Sequence, residues 1–222
     1  MSRPAAERRE ELVELYKQAR ACTRCPLHAT RTQVVFGNGN ADADLMFVGE
    51  APGANEDLQG LPFVGRAGKL LDEMLAQNGM VRGDVFVTNV LKSRPPGNRD
   101  PEAEEIEACR PYLQRQVELI EPRVVCTLGN FATKLLSGSP QGITRVHGVP
   151  QQRELGGRQV TLYPLFHPAA ALRTPRVKEQ LSEDFARLPG LLAPDPRETA
   201  PPAEPEAAAT PSAAEQMGLF GS

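Results

Sequence analysis

The chain contains no apolar run long enough to span a bilayer, which excludes a transmembrane segment. With 40% of its 222 residues hydrophobic, it is expected to be a globular domain able to bury a real core. Its first residues, MSRPAAERREELVELYKQ, lack the apolar stretch of a secretory signal, so a cytoplasmic location is expected. An excess of positive charge is missing too: 25 Lys and Arg face 28 Asp and Glu, a formal net charge of -3. Bulk cationic attraction is therefore no basis for binding a polyanion, but the imbalance is local. From Ala193 onward one Arg stands against five acids, which leaves 24 basic and 23 acidic residues in the body. Such a body can carry a local basic face, and Lys92, Arg94, Arg99, Arg145, Arg173 and Arg176 all fall in expected loops. Internal repeats are absent. Cysteine is scarce, with four residues at 22, 25, 109 and 126. In a reducing compartment, with the first pair spaced C-x-x-C, they read as metal ligands or redox groups before disulfides.

Apolar runs and turn residues then give an α/β order. Leu45 to Val48, Val85 to Val87, Val124 to Leu128 and Gln159 to Phe166 read as buried strands. Helices are expected near Glu7 to Ala21, over Gly68 to Asn78 with Gly79 as its C-terminal cap, and over Phe131 to Leu136. Two more are expected, from an Asp100-Pro101 start through about Leu119 and over about Lys178 to Leu192. Alternating strands and helices predict a three-layer α/β/α sandwich around a short, mainly parallel, four-stranded central sheet.

Three strand ends carry unusual chemistry. GEAPGANED, Gly49 to Asp57, follows the first strand with two glycines, a proline and three acids, and backbone without bulky Cβ groups lets a ligand approach closely. TNVLKSRPPGNRD, Thr88 to Asp100, follows the second strand. In LYPLFHPAAALR, Leu162 to Arg173, a strand runs straight into His167-Pro168.

Together with the Cys22–Cys25 pair, these ordered motifs over roughly residues 12 to 192 resemble the family 4, iron-sulfur uracil-DNA glycosylases of bacteria. The resemblance implies excision of uracil flipped out of DNA, leaving an abasic site with water as nucleophile and initiating base excision repair. It implies that His167 donates a hydrogen bond to uracil O2 as negative charge grows there, and that Glu50 positions the water or stabilises the cationic sugar. Asn89 would read the base edge, since a carboxamide matched to uracil N3-H and O4 mismatches cytosine. Phe63 would stack on the base, Ala51 would lie against it in the GE(G/A)PG loop, and Glu56 would stand near C5 and help exclude thymine. Asp57 is read as a cap of the next helix. Leu172 would wedge into the minor groove, with Arg173 and Arg94 at phosphate.

The resemblance further implies a 4Fe-4S cluster held by Cys22, Cys25 and Cys109, with Ser93 where the family usually has its remaining Cys. Three arrangements stay open: Ser93 ligates, Cys126 substitutes for it, or one iron is left open. Cys126 sits in the apolar run RVVCTLG, where a buried thiol acts as a small hydrophobe. Zinc is a further alternative for the C-x-x-C pair, although a second close ligand pair is missing. A non-catalytic or covalent uracil-DNA-binding iron-sulfur protein is the alternative function. The absence of His between Lys92 and Asp100 argues against covalent capture.

Residues 1–192 are expected to form the glycosylase domain and 193–222 a disordered Pro/Ala/Glu-rich tail. The tail ends in EQMGLFGS, where Gln216, Leu219 and Phe220 resemble the Q-x-x-L-F peptide that docks on the bacterial β sliding clamp. A nucleoid-associated monomer, bound to uracil-containing DNA and to no membrane, is the expected state.

Overall fold

The computed structural model describes residues 3–193. The helix α1 (Ala5–Arg20) leads through the Cys pair to the short strand β1 (Asn38–Gly39) and to β2 (Leu45–Gly49). Then come α2 (Ala54–Gln59), α3 (Arg66–Gln77), β3 (Phe86–Asn89), α4 (Ala103–Ile120), β4 (Val124–Leu128) and α5 (Asn130–Ser137). The chain continues with α6 (Ile143–Val146), β5 (Gln151–Leu155), β6 (Arg158–Leu165), α7 (Pro168–Ala171), α8 (Pro175–Phe185) and α9 (Leu188–Leu192). Among the described residues no helix is long and apolar enough to cross a membrane.

The sheet has six strands in the order β1-β3-β2-β4-β6-β5, where four were expected. The expected four, β3, β2, β4 and β6, form the parallel centre; β1 and β5 add an antiparallel strand at each edge. Both edge strands escape a hydrophobic reading because they bury no continuous apolar face: β1 is fully exposed, and β5 alternates between half-buried and exposed.

Side chains alternate across the central strands. Met46, Val48, Val125 and Leu162 point into one core beneath α1 and α4, while Leu45, Phe47, Val124, Cys126 and Tyr163 point into another beneath α3 and α8. Burial on both faces makes these strands read as continuous apolar runs. Phe47 and Phe185 stack at 5.7 Å in the second core, and truncating either to Ala costs about 3–5 kcal/mol.

The start of α4 and the last helix differ most from expectation. α4 begins at Ala103 because Glu102, with Glu105 answering it in a capping box, serves as N-cap in place of Asp100. The last expected helix is two, α8 and α9, with Pro189 in the first turn of the second.

Candidate active site

The register of the parallel strands assembles the site. Gly49 pairs with Asn89 and Leu128 with Leu165, so Glu50, Asn89, Gly129 and His167 emerge from four strand ends at the same edge. Strand order reverses between β2 and β4, the place where open α/β sheets leave a crevice.

A cavity of about 520 Å³ opens there, lined by Glu50, Ala51, Pro52, Gly53, Glu56, Phe63, Asn89, His167 and Arg173 among others. A neighbouring cavity of about 640 Å³ shares Glu50 and His167 and runs along Gly129, Asn130 and Lys134. The first therefore gathers every residue assigned to catalysis or base contact from the sequence.

Phe63 is held in a backbone conformation rare for a side-chain-bearing residue, with φ of 54°. Its ring lies 5.7 Å from that of His167 at an interplanar angle of 28°. Two glycines make the arrangement possible. A Cβ on Gly68 would fall 1.6 Å from the Phe63 carbonyl oxygen, and one on Gly49 would fall 2.4 Å from Asn89 Oδ1 and 2.7 Å from Phe63 Cζ.

His167 ends the β6 segment and caps α7, its Nδ1 accepting the Ala169 N–H at 3.1 Å. Because Nδ1 accepts, the proton of the neutral ring sits on Nε2. Burial pulls the imidazole down to about 4, against the opposing charge of Glu56. Near pH 7 this is a neutral donor.

Burial pushes the Glu50 carboxyl above its ordinary value, and the negative charge of Asp100 pushes the same way. Glu56 spends Oε1 on the N–H groups of Val64 and Gly65, both at 3.0 Å, and so also fixes the turn that carries Phe63. Asp57 caps no helix. It is buried within α2 and accepts the Thr32 N–H at 3.0 and 3.2 Å.

Asn89 is 2% exposed. Behind it lies Lys92, counted from sequence among the loop cations but in fact a core residue. Its Nζ donates to Thr88 Oγ1, the Asn89 backbone oxygen and Gln116 Oε1, each at 2.7 Å.

At the rim, Leu172 is 38% exposed and Arg173 is exposed beside it. Arg94 donates from Nε to Asn98 Oδ1 at 2.7 Å. Arg99 forms a two-pronged pair with the buried Glu105 at 2.6 and 3.0 Å, so its charge is committed within the fold. Arg145 and Arg176 lie on α6 and α8 and not in loops.

Cys22 and Cys25 pack on the core that contains Cys109, and the Lys92 backbone N–H lies 3.4 Å from Cys109 Sγ. Ser93 is buried next in sequence and accepts from Arg31 at 3.3 Å. Burial pushes the Cys22 thiol up, but hydrogen bonds from Tyr112 and Arg24 outweigh it and hold it below its ordinary value. Burial raises Cys25 and Cys109. Among the described residues no three His, Cys, Asp or Glu side chains are gathered as ligands of a single ion. Cys126 lies in the other core, across the sheet from Cys109, because strand alternation turns it away. The C-terminal peptide with Gln216, Leu219 and Phe220 lies outside the described residues.

The family model of the uracil DNA glycosylase superfamily matches residues 36–188. A type-4 uracil-DNA glycosylase of Archaeoglobus fulgidus is 46% identical over 183 residues, covering 81% of this chain and 92% of its own length. One of Thermotoga maritima is 48% identical over 167 residues, covering 74% of this chain and 85% of its own. A type-5 uracil-DNA glycosylase of Mycobacterium leprae is 28% identical over 185 residues, covering 71% and 79%.

Proposed function

This chain belongs to the uracil-DNA glycosylase superfamily and, within it, to the type-4 enzymes, and from that membership we propose that it excises uracil from DNA and leaves an abasic site. The observation that carries the reading is the convergence of Glu50, Phe63, Asn89 and His167 on one cavity.

Cleavage of the bond between sugar C1' and uracil N1 leaves the electron pair on the base and positive charge on the sugar. The Nε2–H of His167 donates to uracil O2, where part of that negative charge accumulates. A neutral donor suits this work because it stabilises the anion without having to surrender its proton. Asn89 takes uracil N3-H and O4 on one planar group, and the mismatch rejects cytosine. Phe63 stacks on the flipped base, Ala51 and Glu56 border it, and Glu50 orients the water that adds to C1'. Leu172 fills the gap left in the duplex while Arg173 and Arg94 meet phosphate.

Cys22, Cys25, Cys109 and Ser93 would hold a 4Fe-4S cluster. Their donor chemistry fits, with three thiols and a hydroxyl drawn from three segments and with Arg24, Arg31 and Lys92 supplying positive charge beside them. When bound, the group would supply a structural clip, because hydrolysis consumes no electron. The reading extends to residues 1–192 as the catalytic domain of a nucleoid-associated monomer, and to the Q-x-x-L-F end of the tail as a ligand of the β sliding clamp.

Incubating the full chain with a single-uracil oligonucleotide tests the proposal. Free uracil and an alkali-labile site are expected; intact uracil, or strand scission without alkali, contradicts it.

A further inference from the structure

The cavity that gathers the base-contacting residues accounts for only part of a nucleotide. Glu50 and His167 line both that cavity and the neighbouring one of about 640 Å³. A glycosidic bond placed at these two residues, with uracil in the first space, puts the sugar and its phosphates at the second. Asp100, Asn130, Phe131 and Lys134 also line the second space. Lys134 lies on α5, one helical turn beyond Asn130 and on the same face. Helical side chains lean toward the N-terminus of their helix, and α5 begins two residues after β4 ends, so Lys134 leans back toward the strand ends that carry Glu50 and His167. Its charge is not consumed by the fold. Lys134 is exposed and, among the described residues, makes no ion pair or hydrogen bond, whereas Arg99 is committed to Glu105. Glu50 and Asp100 suit a sugar that becomes cationic and repel a phosphate, which leaves Lys134 as the one Lys or Arg lining this cavity among the described residues.

We propose that Lys134 is a further DNA-binding residue: its ammonium contacts a phosphate flanking the flipped deoxyuridine, at the second cavity. This rests on the uracil-excision reading. Arg173 lines the first cavity and not the second, while Lys134 lines the second and not the first. The two cations therefore serve different spaces, and a strand crossing both meets one beside the base and the other beyond the sugar. Taking a nucleotide out of the stack costs free energy, and holding the strand at more than one phosphate offsets that cost. A phosphate contact fixes register and carries no sequence information, so Lys134 contributes to binding and leaves the choice of base to Asn89.

A solvated surface charge attracts every phosphate weakly, whereas a contact depends on one. The test is binding of Lys134→Gln to duplex oligonucleotides carrying one 2'-fluoro-2'-deoxyuridine, whose electron-withdrawing fluorine suppresses loss of the base. Each phosphate around that nucleotide is replaced in turn by an uncharged methylphosphonate. On the duplex with every phosphate charged, Lys134→Gln is expected to bind several-fold more weakly, and the slope of log K against log salt to become shallower by about 0.9. With one flanking phosphate neutralised, the variant and the unaltered protein should bind alike. No loss on the charged duplex, a loss that persists at every neutralised position, or one relieved only at a phosphate remote from the deoxyuridine overturns the inference. Lys134→Arg keeps the charge and should retain most of the affinity; a loss as large as that of Lys134→Gln overturns the inference as well. Failure of the unaltered protein to release uracil from an ordinary oligonucleotide would instead sink the uracil reading.

Discussion

His167 offers the sharpest quantitative test. Replacing it with Ala removes the Nε2–H donor aimed at uracil O2, and loss of a donor of this kind costs about 2.7–4 kcal/mol, or 10²–10³ in rate. The pH dependence of that loss distinguishes a neutral ring from a charged one. With the imidazole pulled down to about 4 by burial, roughly one molecule in a thousand carries an imidazolium at pH 7. Single-turnover rates of both proteins from pH 5.5 to 8 should therefore keep a constant ratio. Any acid limb belongs to Glu50, whose carboxyl burial and Asp100 raise above the ordinary range, so activity falls as the pH drops through that raised value. Glu50→Gln should remove the limb. The same protonation affects stability. Between an unfolded value near 6.5 and the folded value of about 4, the unfolded chain binds the extra proton, so stability drops as pH falls through this window. The gap converts to about 3 kcal/mol, and His167→Ala should flatten that part of the curve. A rate ratio shrinking tenfold per pH unit above pH 5.5 would show a catalytic imidazolium and refute the reasoning, as would a loss of only a few-fold.

Asn89→Asp should weaken rejection of cytosine, because a buried carboxyl presents the acceptor that the cytosine amino group needs and, when protonated, a donor for N3. Competition between uracil and cytosine oligonucleotides measures this, and unchanged discrimination in an active variant would assign base reading elsewhere. Cys109→Ala should lose iron and destabilise the fold. Cys126→Ala should keep the visible absorption and cost about 1 kcal/mol, the price of deleting a methyl-sized group from a core; bleaching by Cys126→Ala but not by Ser93→Ala would reverse the ligand assignment. A peptide spanning Ala214 to Ser222 should bind bacterial β clamp with roughly micromolar affinity. Leu219→Ala with Phe220→Ala should abolish that binding and leave excision on oligonucleotides untouched; calorimetry with the full chain checks it.

The central strands were legible because each is buried on both faces, whereas Glu50, Asn89 and His167 were singled out at their ends by the family resemblance of the loops that carry them. β5 was less visible: QQREL lies at an edge and buries little, although the Gly156-Gly157 pair, both with positive φ, is the turn signal that joins it to β6. The extent of burial at Lys92 was hidden because two of its three acceptors lie on β3 while Gln116 arrives from α4, 24 residues on. The double duty of Glu56 was hidden for a similar reason, since its bonds to Val64 and Gly65 exist only once the loop before α3 has closed. The sequence showed the Cys pair and Cys109, but only strand alternation shows that Cys126 faces the other core.

The structure of Glu50→Gln bound to uracil-containing DNA tests the central claim most directly. The flipped base should lie on Phe63, with O2 at hydrogen-bond distance from His167 Nε2 and with N3 and O4 on the Asn89 carboxamide. A base that remains stacked in the duplex, or one seated away from Asn89 and His167, would contradict it.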